Sequence, residues 1–450
     1  MILAYVRARG WLQRHPLFLP LALAACTQTI STPPPLTPPV LPFCLPSITT
    51  ESARFTAEPI ETGLPQRGQW RDGFDLADMN GDGRLDLLHG PPRKGNFLPA
   101  IFLGDGRGAF ARWTTAHFPP LPYDYGDIAA ADFNGDGAMD IALSAHLRGL
   151  TVLIHEANGH YAPWSEGLVL ARQGTTETAP FAARAIAVTD WNGDRRPDLL
   201  AINEGPSRLG LASPTPAAAE AFALYLNRAG FWDRIAGEPL RFFGASIATG
   251  DVNGDRRPDA LLGTGVAGAR RLLIFGARES WHSVRLETLR ENAAVTATAL
   301  HDVDRDRRDE IFVATRFHGD GGPCTTLELI RLPRDAAQTA TILWSEASRN
   351  PIVALVFADF DGNLQDDLAA LRRDGSLQLF AADGATFTRD ARIEPPAAFA
   401  GCDAYDLAAA DLDGDGRIEL IASYAGETTS SGVRCASGGG FGAWRVNSPR

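Results

Sequence analysis

Side chains with oxygen donors recur in one nine-residue pattern along the 450-residue chain. The first copy reads Asp78-Met-Asn80-Gly-Asp82-Gly-Arg84-Leu-Asp86. Side-chain oxygens at positions 1, 3 and 5, a backbone carbonyl at position 7 and a carboxylate at position 9 suit a hard cation of calcium size. Each copy, called here an acidic loop, is therefore predicted to bind Ca²⁺.

The acidic loops are numbered 1 to 7 in chain order and predict up to seven calcium sites. Their candidate ligands are Asp78, Asn80, Asp82, Arg84 and Asp86; Asp132, Asn134, Asp136, Ala138 and Asp140; Asp190, Asn192, Asp194, Arg196 and Asp198; Asp251, Asn253, Asp255, Arg257 and Asp259; Asp302, Asp304, Asp306 and Glu310; Asp359, Asp361, Asn363 and Asp367; and Asp411, Asp413, Asp415, Arg417 and Glu419.

The loops differ at positions 4 and 6, where glycine allows a sharp turn. Loops 1, 2 and 7 keep both glycines. Loops 3 and 4 have Arg195 and Arg256 at position 6, and we expect these arginines to resist a left-handed turn. Loops 5 and 6 depart furthest from the pattern. A hydrated Asp-Asn-Gly turn that needs no metal is the alternative interpretation.

The segments around the loops indicate an all-β protein. A stretch of small apolar residues precedes each loop, such as Ile128–Ala131, and a second strand follows, such as Asp140–Leu143. Loop openings are 54, 58, 61, 51, 57 and 52 residues apart, which is room for four short strands. The sequence therefore predicts a seven-bladed β-propeller of four-stranded antiparallel blades.

In the acidic loops and the Leu103-Gly-Asp-Gly...Phe110 hairpin, the sequence resembles the FG-GAP and VCBS repeats, which also build the heads of integrin alpha subunits. The resemblance covers roughly residues 53 to 446. It implies that each loop joins the first and second strands of a blade and binds calcium on one rim.

Closure of the ring follows from a missing strand. After loop 7 the chain has only two more strand segments, near Glu419–Ser423 and Gly442–Val446. The segment Ala53–Ile60 lies before the first blade, and we expect it to pair beside the C-terminal strand so that no sheet edge stays open.

The N-terminus has the features of an export signal. Residues 1–25 carry three arginines and a short apolar run, and Leu23-Ala-Ala-Cys26 matches a bacterial lipobox. We predict a lipoprotein signal peptide at 1–25, acylation of Cys26, a proline-rich tether at 26–50 and the propeller at 51–450. Thr27 favours the outer membrane of a Gram-negative envelope. An uncleaved membrane anchor is the alternative, although the run is shorter than a membrane span.

Four further cysteines would enter an oxidising compartment. We predict a disulfide between Cys402 and Cys435, on the rim opposite the acidic loops. Cys44 and Cys324 either pair with each other or stay free.

The sequence gives less information about function than about fold. No catalytic residues are identified, and a formal charge of -12 argues against nucleic acid. Asp124 and Asp127 are read as ordinary surface residues unless a cleft gathers them. The favoured hypothesis is a calcium-stabilised, lipid-anchored envelope module that binds a protein or glycan at the rim opposite the acidic loops. Long loops between second and third strands are expected there at Asn203–Ala221, Arg316–Thr325 and Tyr424–Gly440. The candidate contact residues, which are otherwise simple exposed loop residues, are Tyr424, Phe317, His318, Arg93 and Lys94. Alternatives are a polysaccharide lyase or hydrolase, or a structural part of an envelope assembly.

Overall fold

Four-stranded antiparallel sheets follow one another around a ring in the computed structural model. It describes residues 54–448 apart from 94–97, 147, 169–182, 205–218, 241–242, 266–270, 287–292, 320–321, 335–339 and 427–433. Consecutive innermost strands contact each other, and the last contacts the first. The predicted seven-bladed β-propeller is therefore confirmed.

Strands are numbered 1 to 4 from the central channel outward in each blade. From blade 1 to blade 7 they are Phe74–Ala77, Asp86–His89, Ala100–Gly104 and Phe110–Arg112; Ile128–Ala131, Asp140–Ala145, Gly149–Ala157 and His160–Pro163; Ala183–Thr189, Asp198–Asn203, Phe222–Asn227 and Trp232–Ala236; Gly244–Gly250, Asp259–Thr264, Arg271–Ala277 and Ser280–Leu286; Ala294–His301, Glu310–Gly319, Gly322–Arg331 and Thr341–Ser348; Ile352–Ala358, Asp367–Arg372, Leu377–Asp383 and Thr386–Ile393; and Asp403–Ala410, Glu419–Ala425, Gly439–Asn447 and Thr56–Pro59.

Two short elements lie outside the blades. A two-residue ladder joins Ala219–Glu220 to Pro239–Leu240, and a single 3₁₀ turn spans Ala397–Phe399. No helix among the described residues is long and apolar enough to cross a membrane.

The ring closes through its two ends. Thr56 pairs with Asn447 and Pro59 with Trp444, so the N-terminal strand is the outermost strand of blade 7. Phe55, only 1% exposed, packs between blades 6 and 7. The predicted closure is confirmed, and it covers what would otherwise be an open sheet edge.

Apolar packing is concentrated between blades. One buried cluster lies at each of the seven contacts between neighbouring blades. Phe133 and Trp232 belong to the cluster between blades 2 and 3, and Phe312 and Phe380 to that between blades 5 and 6. Side chains on the innermost strands are small because seven strands converge on the channel.

One connection that the sequence analysis predicted to be a loop is part of two paired strands. The segment from Arg316 to Thr325, expected to be a loop between strands 2 and 3 of blade 5, extends both strands, and Arg316 pairs with Thr325. Most of the long loop predicted between Asn203 and Ala221 lies outside the described residues.

Three of the described cysteines are disulfide-bonded. Cys402 and Cys435 form a disulfide with an S–S distance of 1.99 Å. Cys324 is also disulfide-bonded, and its partner lies outside the described residues. The predicted signal peptide, Cys26, the tether and Cys44 lie outside them too.

Candidate functional site

All seven acidic loops join strand 1 to strand 2 and so share one rim of the ring. Their backbones are alike at positions 4 and 6. Gly81 and Gly83 have φ values of 75° and 83°, and the corresponding Arg305 and Arg307 of loop 5 have 62° and 68°. Position 6 is also left-handed at Arg195, with φ of 71°. Arginine therefore adopts the left-handed turn that the sequence analysis expected it to resist.

Each loop wraps its backbone around the carboxylate at position 1. In loop 2, Asp132 Oδ1 accepts from the backbone N–H of Gly135 at 2.7 Å, and Oδ2 accepts from that of Gly137 at 2.8 Å. Asp136 Oδ1 similarly accepts from Ala138 at 2.8 Å. These bonds hold the side-chain oxygens on the inside of the turn.

The carboxylate at position 9 is buried and links the loop to its blade. In every loop one of its oxygens accepts from the backbone N–H of position 2, at 2.9 to 3.1 Å. The other oxygen of Asp86 accepts from Gly104 on strand 3 at 2.8 Å. Burial raises the pKa of Asp86 to about 6.

Where position 9 is glutamate, its second oxygen accepts from an arginine side chain and not from a backbone N–H of strand 3. Glu310 accepts from Arg331 Nε at 2.8 Å, and the same guanidinium reaches Asp304 at 2.6 Å. In loop 7, Glu419 accepts from Arg445 Nε at 3.1 Å, and the same guanidinium contacts Asp413. In each of loops 5 and 7, two carboxylates are thus already paired with an arginine.

The side chain at position 2 anchors each loop to the following blade. All seven are apolar and pack in the cluster between their own blade and the next one. In chain order they are Met79, Phe133, Trp191, Val252, Val303, Phe360 and Leu412. Sequence reasoning missed this role, although an apolar residue follows every loop's first aspartate.

Three loops gather acidic oxygens closely enough for one cation. Ligand oxygens lie within 4.8 Å of one another in Asp302, Asp304 and Asp306, in Asp359, Asp361 and Asp367, and in Asp411, Asp413 and Glu419. Calcium binds oxygens at about 2.3–2.6 Å, so two ligands on opposite sides of one ion are about 5 Å apart. These acidic sets therefore fit the predicted ion.

Loops 1 to 4 have asparagine at position 3, and in loops 1 to 3 its amide nitrogen donates to the carboxylate at position 5. Asn80 reaches Asp82 at 3.1 Å, and Asn134 reaches Asp136 at 2.9 Å. With asparagine at position 3, loops 1 to 4 have one carboxylate fewer among their predicted ligands than loops 5 and 7.

A second polar site lies at the opposite end of the central channel, where strand 1 begins and strand 2 ends. We call it the channel mouth. Its residues are Arg71, Asp72, Arg93, Tyr125, His146, Arg184, Glu204, Arg373, Asp403 and Tyr405.

Arginines and tyrosines stack at the channel mouth. The guanidinium of Arg71 lies between two rings, 5.3 Å from the centre of Tyr125 and 5.0 Å from that of Tyr405. Arg373 covers Tyr405 at 5.0 Å. His146 stacks on Tyr125 at 4.6 Å and contacts Glu204 through Nδ1 at 2.7 Å.

Asp72 is the most constrained residue of the mouth. It adopts a left-handed φ of 70°, and its side chain is only 6% exposed. Its Oδ1 pairs with Arg184 at 3.1 Å, which raises the pKa of that guanidinium. Its Oδ2, like Arg71 Nε and Asp403 Oδ1, has no hydrogen-bond partner among the described residues.

Below the mouth, half-buried aspartates that line the channel connect neighbouring innermost strands. Asp127 accepts from Ile128 at 3.0 Å and, across the blade boundary, from Ile186 at 2.9 Å. Asp406 likewise accepts from Leu407 and Phe74. Burial raises the pKa of each to about 7. Asp127 therefore lies in a cleft, the case for which the sequence analysis made an exception.

Sequence reasoning also missed most of the mouth. Its signal is positional: a charged or aromatic residue stands six or seven places before the opening aspartate of loops 1, 2, 3 and 7, where loops 4, 5 and 6 have small or aliphatic residues. Among the rim candidates proposed from sequence, Arg93 lies at the mouth, 5.8 Å from the ring of Tyr125.

The other rim candidates differ in position. Tyr424 is fully buried and stacks on Phe399, so its assignment as a contact residue is wrong. Phe317 is buried as well, and His318 is exposed. Lys94 lies outside the described residues.

The family model of the FG-GAP-like repeat matches residues 93–143 and 359–422. The first segment ends just after acidic loop 2, and the second contains loops 6 and 7. The chain is therefore a seven-bladed β-propeller, and two of its segments match the FG-GAP-like repeat, in agreement with the predicted resemblance.

Solved structures share this fold at low identity. A crystal structure of BBS1N in complex with ARL6DN, soaked with mercury, has a TM-score of 0.51 and 14% identity, covering 89% of this chain and 98% of that chain. The same complex soaked with lead has a TM-score of 0.49 and 13% identity, and the match covers 89% of this chain and 98% of that chain. The V. cholerae biofilm matrix protein Bap1 has a TM-score of 0.43 and 13% identity, and the match covers 89% of this chain and 92% of that chain. No curated protein sequence matches the chain.

Proposed function

We propose that this chain is an exported, lipid-anchored module of the cell envelope, stabilised by calcium, that binds a protein or glycan partner at the rim opposite the acidic loops. Residues 1–25 would be removed, Cys26 would carry the lipid, and residues 26–50 would hold the propeller of residues 51–450 away from the membrane. Contact with the membrane would be through the lipid alone.

The observation that carries the proposal is the difference between the two rims. On one rim every acidic loop is locked to its own blade and to the next one, which is a structural arrangement. On the other, arginine, tyrosine, histidine and carboxylate side chains from several blades meet at the channel mouth. Convergent polar groups at a concave site on a rigid scaffold favour a binding surface.

Calcium would supply positive charge to loops that are otherwise dense in carboxylates. Asp359, Asp361 and Asp367 of loop 6 would hold it with no arginine competing for their oxygens among the described residues. In loops 5 and 7 the guanidiniums of Arg331 and Arg445 already occupy acidic oxygens, so we expect weaker binding there.

Thermal unfolding tests the calcium part. Because ions that bind only the folded ring must stabilise it, a chelator should lower the melting temperature, and added calcium should restore it. Magnesium, which prefers a smaller and more rigid octahedral site, should restore it poorly. An unchanged melting temperature in chelator would mean that the acidic loops are turns that need no metal.

Anchoring is tested in cells. With a labelled fatty acid in the medium, the native chain should take up label and remain with the envelope fraction, and a Cys26→Ser variant should do neither. Label uptake by the variant would contradict acylation at Cys26.

The hydrogen bonds of the channel acids fit a structural role. Asp127 and Asp406 each accept backbone N–H groups from two neighbouring innermost strands and so hold adjacent blades together. A neighbour of the same fold, BBS1N, was crystallised in complex with another protein. Direct binding measurements with purified envelope polysaccharides and proteins would test this part.

An enzyme that acts on polysaccharide is the second candidate, because tyrosine, arginine and histidine meet at the mouth. Incubation with acidic and neutral polysaccharides would show it through new reducing ends or through the ultraviolet absorbance of unsaturated sugars.

A further inference from the structure

The apolar cluster between blades 4 and 5 differs from the other six. Each of the others contains at least one buried aromatic side chain, whereas this cluster has none among the described residues. Position 2 of loop 4 is Val252, where loops 2 and 3 have Phe133 and Trp191. Protein interiors are otherwise close-packed, so the space that the missing aromatic side chains leave is unusual.

A cavity of about 1080 Å³ lies between these two blades. Ligand pockets usually have volumes of about 300–1,000 Å³, so the space is large enough for a small molecule. Leu273 and Phe275 on strand 3 of blade 4, and Val284 and Leu286 on strand 4, form one wall. Leu332 of blade 5 also lines the cavity.

The wall that blade 4 contributes is long and apolar. Leu273 pairs with Val284, and alternate residues of a strand share a face, so Phe275 and Leu286 point to the same side of the sheet. From His282, which pairs with Phe275, strand 4 advances four residues to Leu286, about 13 Å at about 3.3 Å per residue. Contiguous apolar groups that stay partly exposed mark ligand-binding grooves, and a wall of this length suits a chain-like apolar group.

Positive charge is concentrated where the acidic loops border the cavity. Five arginines and two aspartates line it, a local formal charge of +3 in a chain whose formal charge is -12. Arg256 and Arg257 come from loop 4, and Arg307 comes from loop 5. All three side chains are exposed, and none forms an ion pair within the part of the chain that the structure describes.

The other charged residues of the cavity are already engaged. Arg308 donates to the backbone carbonyl of Val252 at 2.9 Å, and Arg334 pairs with Asp306 at 2.9 Å. The carboxylate of Asp251 accepts backbone N–H groups of its own loop. The charges left unpaired at the cavity are therefore all positive, and a cleft of one sign attracts ligands of the opposite sign.

We propose that this cavity binds a single acyl chain that ends in a carboxylate or phosphate, with the anion on Arg256 and Arg307 and the chain along the wall of blade 4. Guanidinium groups match the geometry of both anions. An acidic peptide would instead place backbone N–H and C=O groups against an apolar wall that offers them no partners. The site is on the acidic-loop rim, so it is independent of the partner proposed for the opposite rim.

The test is calorimetric titration of the full chain with soluble amphiphiles, each kept below the concentration at which it forms micelles. Myristate carries a carboxylate and myristoyl lysophosphatidate a phosphate, so these two probes distinguish the sources of the anion. Monomyristoylglycerol is the neutral probe, and tetradecyltrimethylammonium is the cationic one. Acetate and inorganic phosphate supply the anions without a chain.

Position 6 of the acidic loops supplies matched variants. Arg256, Arg307 and Arg195 are all exposed and left-handed there, with φ of 65°, 68° and 71°, and only the first two line the cavity. A double variant, Arg256→Gln with Arg307→Gln, removes two charges from the cavity, and Arg195→Gln is its control. Val284→Trp fills the apolar part and keeps every arginine. Melting temperatures show whether each variant is folded.

We expect at least one anionic probe to bind saturably. The neutral probe, the cationic probe and the isolated anions should bind about tenfold more weakly or worse, because each lacks either the charge or the chain. The double arginine variant and Val284→Trp should each lose about tenfold or more in affinity for the anionic probe, and Arg195→Gln should bind it as the native chain does.

The inference is overturned if neither anionic probe binds the folded chain, or if the neutral or cationic probe binds as tightly as the anionic ones. It is also overturned if the double arginine variant binds the anionic probes as tightly as Arg195→Gln does, because binding would then lie elsewhere on the chain. Preference for an acidic, leucine-containing peptide over every amphiphile would equally overturn the acyl assignment. None of these results bears on the partner proposed for the opposite rim.

Discussion

In several acidic loops, residues other than glycine adopt a left-handed backbone conformation. Loop 6 has Leu364 at position 6, with φ of 68° and 71% exposure. A left-handed conformation costs an L-residue about 1–2 kcal/mol. The loop keeps its shape because backbone N–H groups, including that of Leu364, bond to the carboxylate of Asp359. Carboxylate hydrogen bonds therefore outweigh the residue preference.

Replacing Leu364 with glycine should stabilise the protein. The strain is relieved, the larger entropy of an unfolded glycine offsets part of the gain, and a net increase of about 0.5–1 kcal/mol is expected in denaturant unfolding. Leu364→Ala is the control, because it removes the exposed apolar side chain and keeps the Cβ. Equal stabilities for the glycine and alanine variants would show that the turn is not strained.

At the scale of elements, the loops serve as joints between blades. Position 9 connects a loop to its own blade, and position 2 places an apolar side chain between that blade and the next. In loop 2, Phe133 is 1% exposed and packs with Trp232 at a ring distance of 5.6 Å. Order in a loop is thereby coupled to packing between blades.

Phe133→Ala should destabilise the ring by about 3–5 kcal/mol, because it leaves a cavity in the cluster between blades 2 and 3. The variant should also need more calcium to reach a given melting temperature, since its loop 2 is less well held. Phe231→Ala is the control: Phe231 is 49% exposed, and its loss should change stability by about 0.5 kcal/mol or less. Similar effects of the two substitutions would contradict the anchoring role of position 2.

The aspartates between innermost strands should make stability depend on pH. Asp406 has a folded-state pKa of about 7, against about 3.9 for an unfolded aspartate. Because the folded-state pKa is the higher one, the stabilisation is fully present below about pH 4 and is lost as the pH rises through 7.

Asp406→Asn cannot titrate and also loses one acceptor. The native chain should therefore exceed this variant in unfolding free energy most at pH 4 and below, and the difference should narrow as the pH rises to 8. Other carboxylates with raised pKa values, such as Asp86, are present in both proteins, so their contributions cancel in the difference between the two unfolding free energies. A gap that is independent of pH would contradict the shift.

At the scale of the whole molecule, seven blades depend on one closure. Strand Thr56–Pro59 covers the edge of Gly439–Asn447, and Phe55 fills the adjacent cluster. Phe55 and Arg54 also donate backbone N–H groups to Asp390 of blade 6, at 2.8 and 2.9 Å.

A chain that begins at Glu61 should therefore unfold more easily than one that begins at Ser47, and it should self-associate through the exposed edge. Size-exclusion chromatography and thermal unfolding of the two fragments measure this. A monomeric shorter fragment with the same melting temperature would show that closure does not depend on this strand.

Much of the architecture was predictable, because it depends on patterns that repeat along the chain. Asp78 and its six counterparts mark the turn between strands 1 and 2 in every blade. The lack of a fourth strand after Gly439–Asn447 implied that residues near Thr56 would supply it. Such features follow from local hydrogen bonding, strand length and the cost of an open edge, which are encoded in short segments.

The channel mouth was decided only by the tertiary structure. Arg71, Tyr125 and Tyr405 come from three blades and are far apart in the chain, so the charged or aromatic residue in each repeat does not by itself show that the three side chains meet. Closing the ring brings strand starts together, removes water from Asp72 and turns separate residues into one site. Tyr424 shows the reverse, since a residue that local pattern placed on the rim is buried by its neighbours. Local sequence thus determines the repeated blade, while contacts between blades determine which polar groups meet.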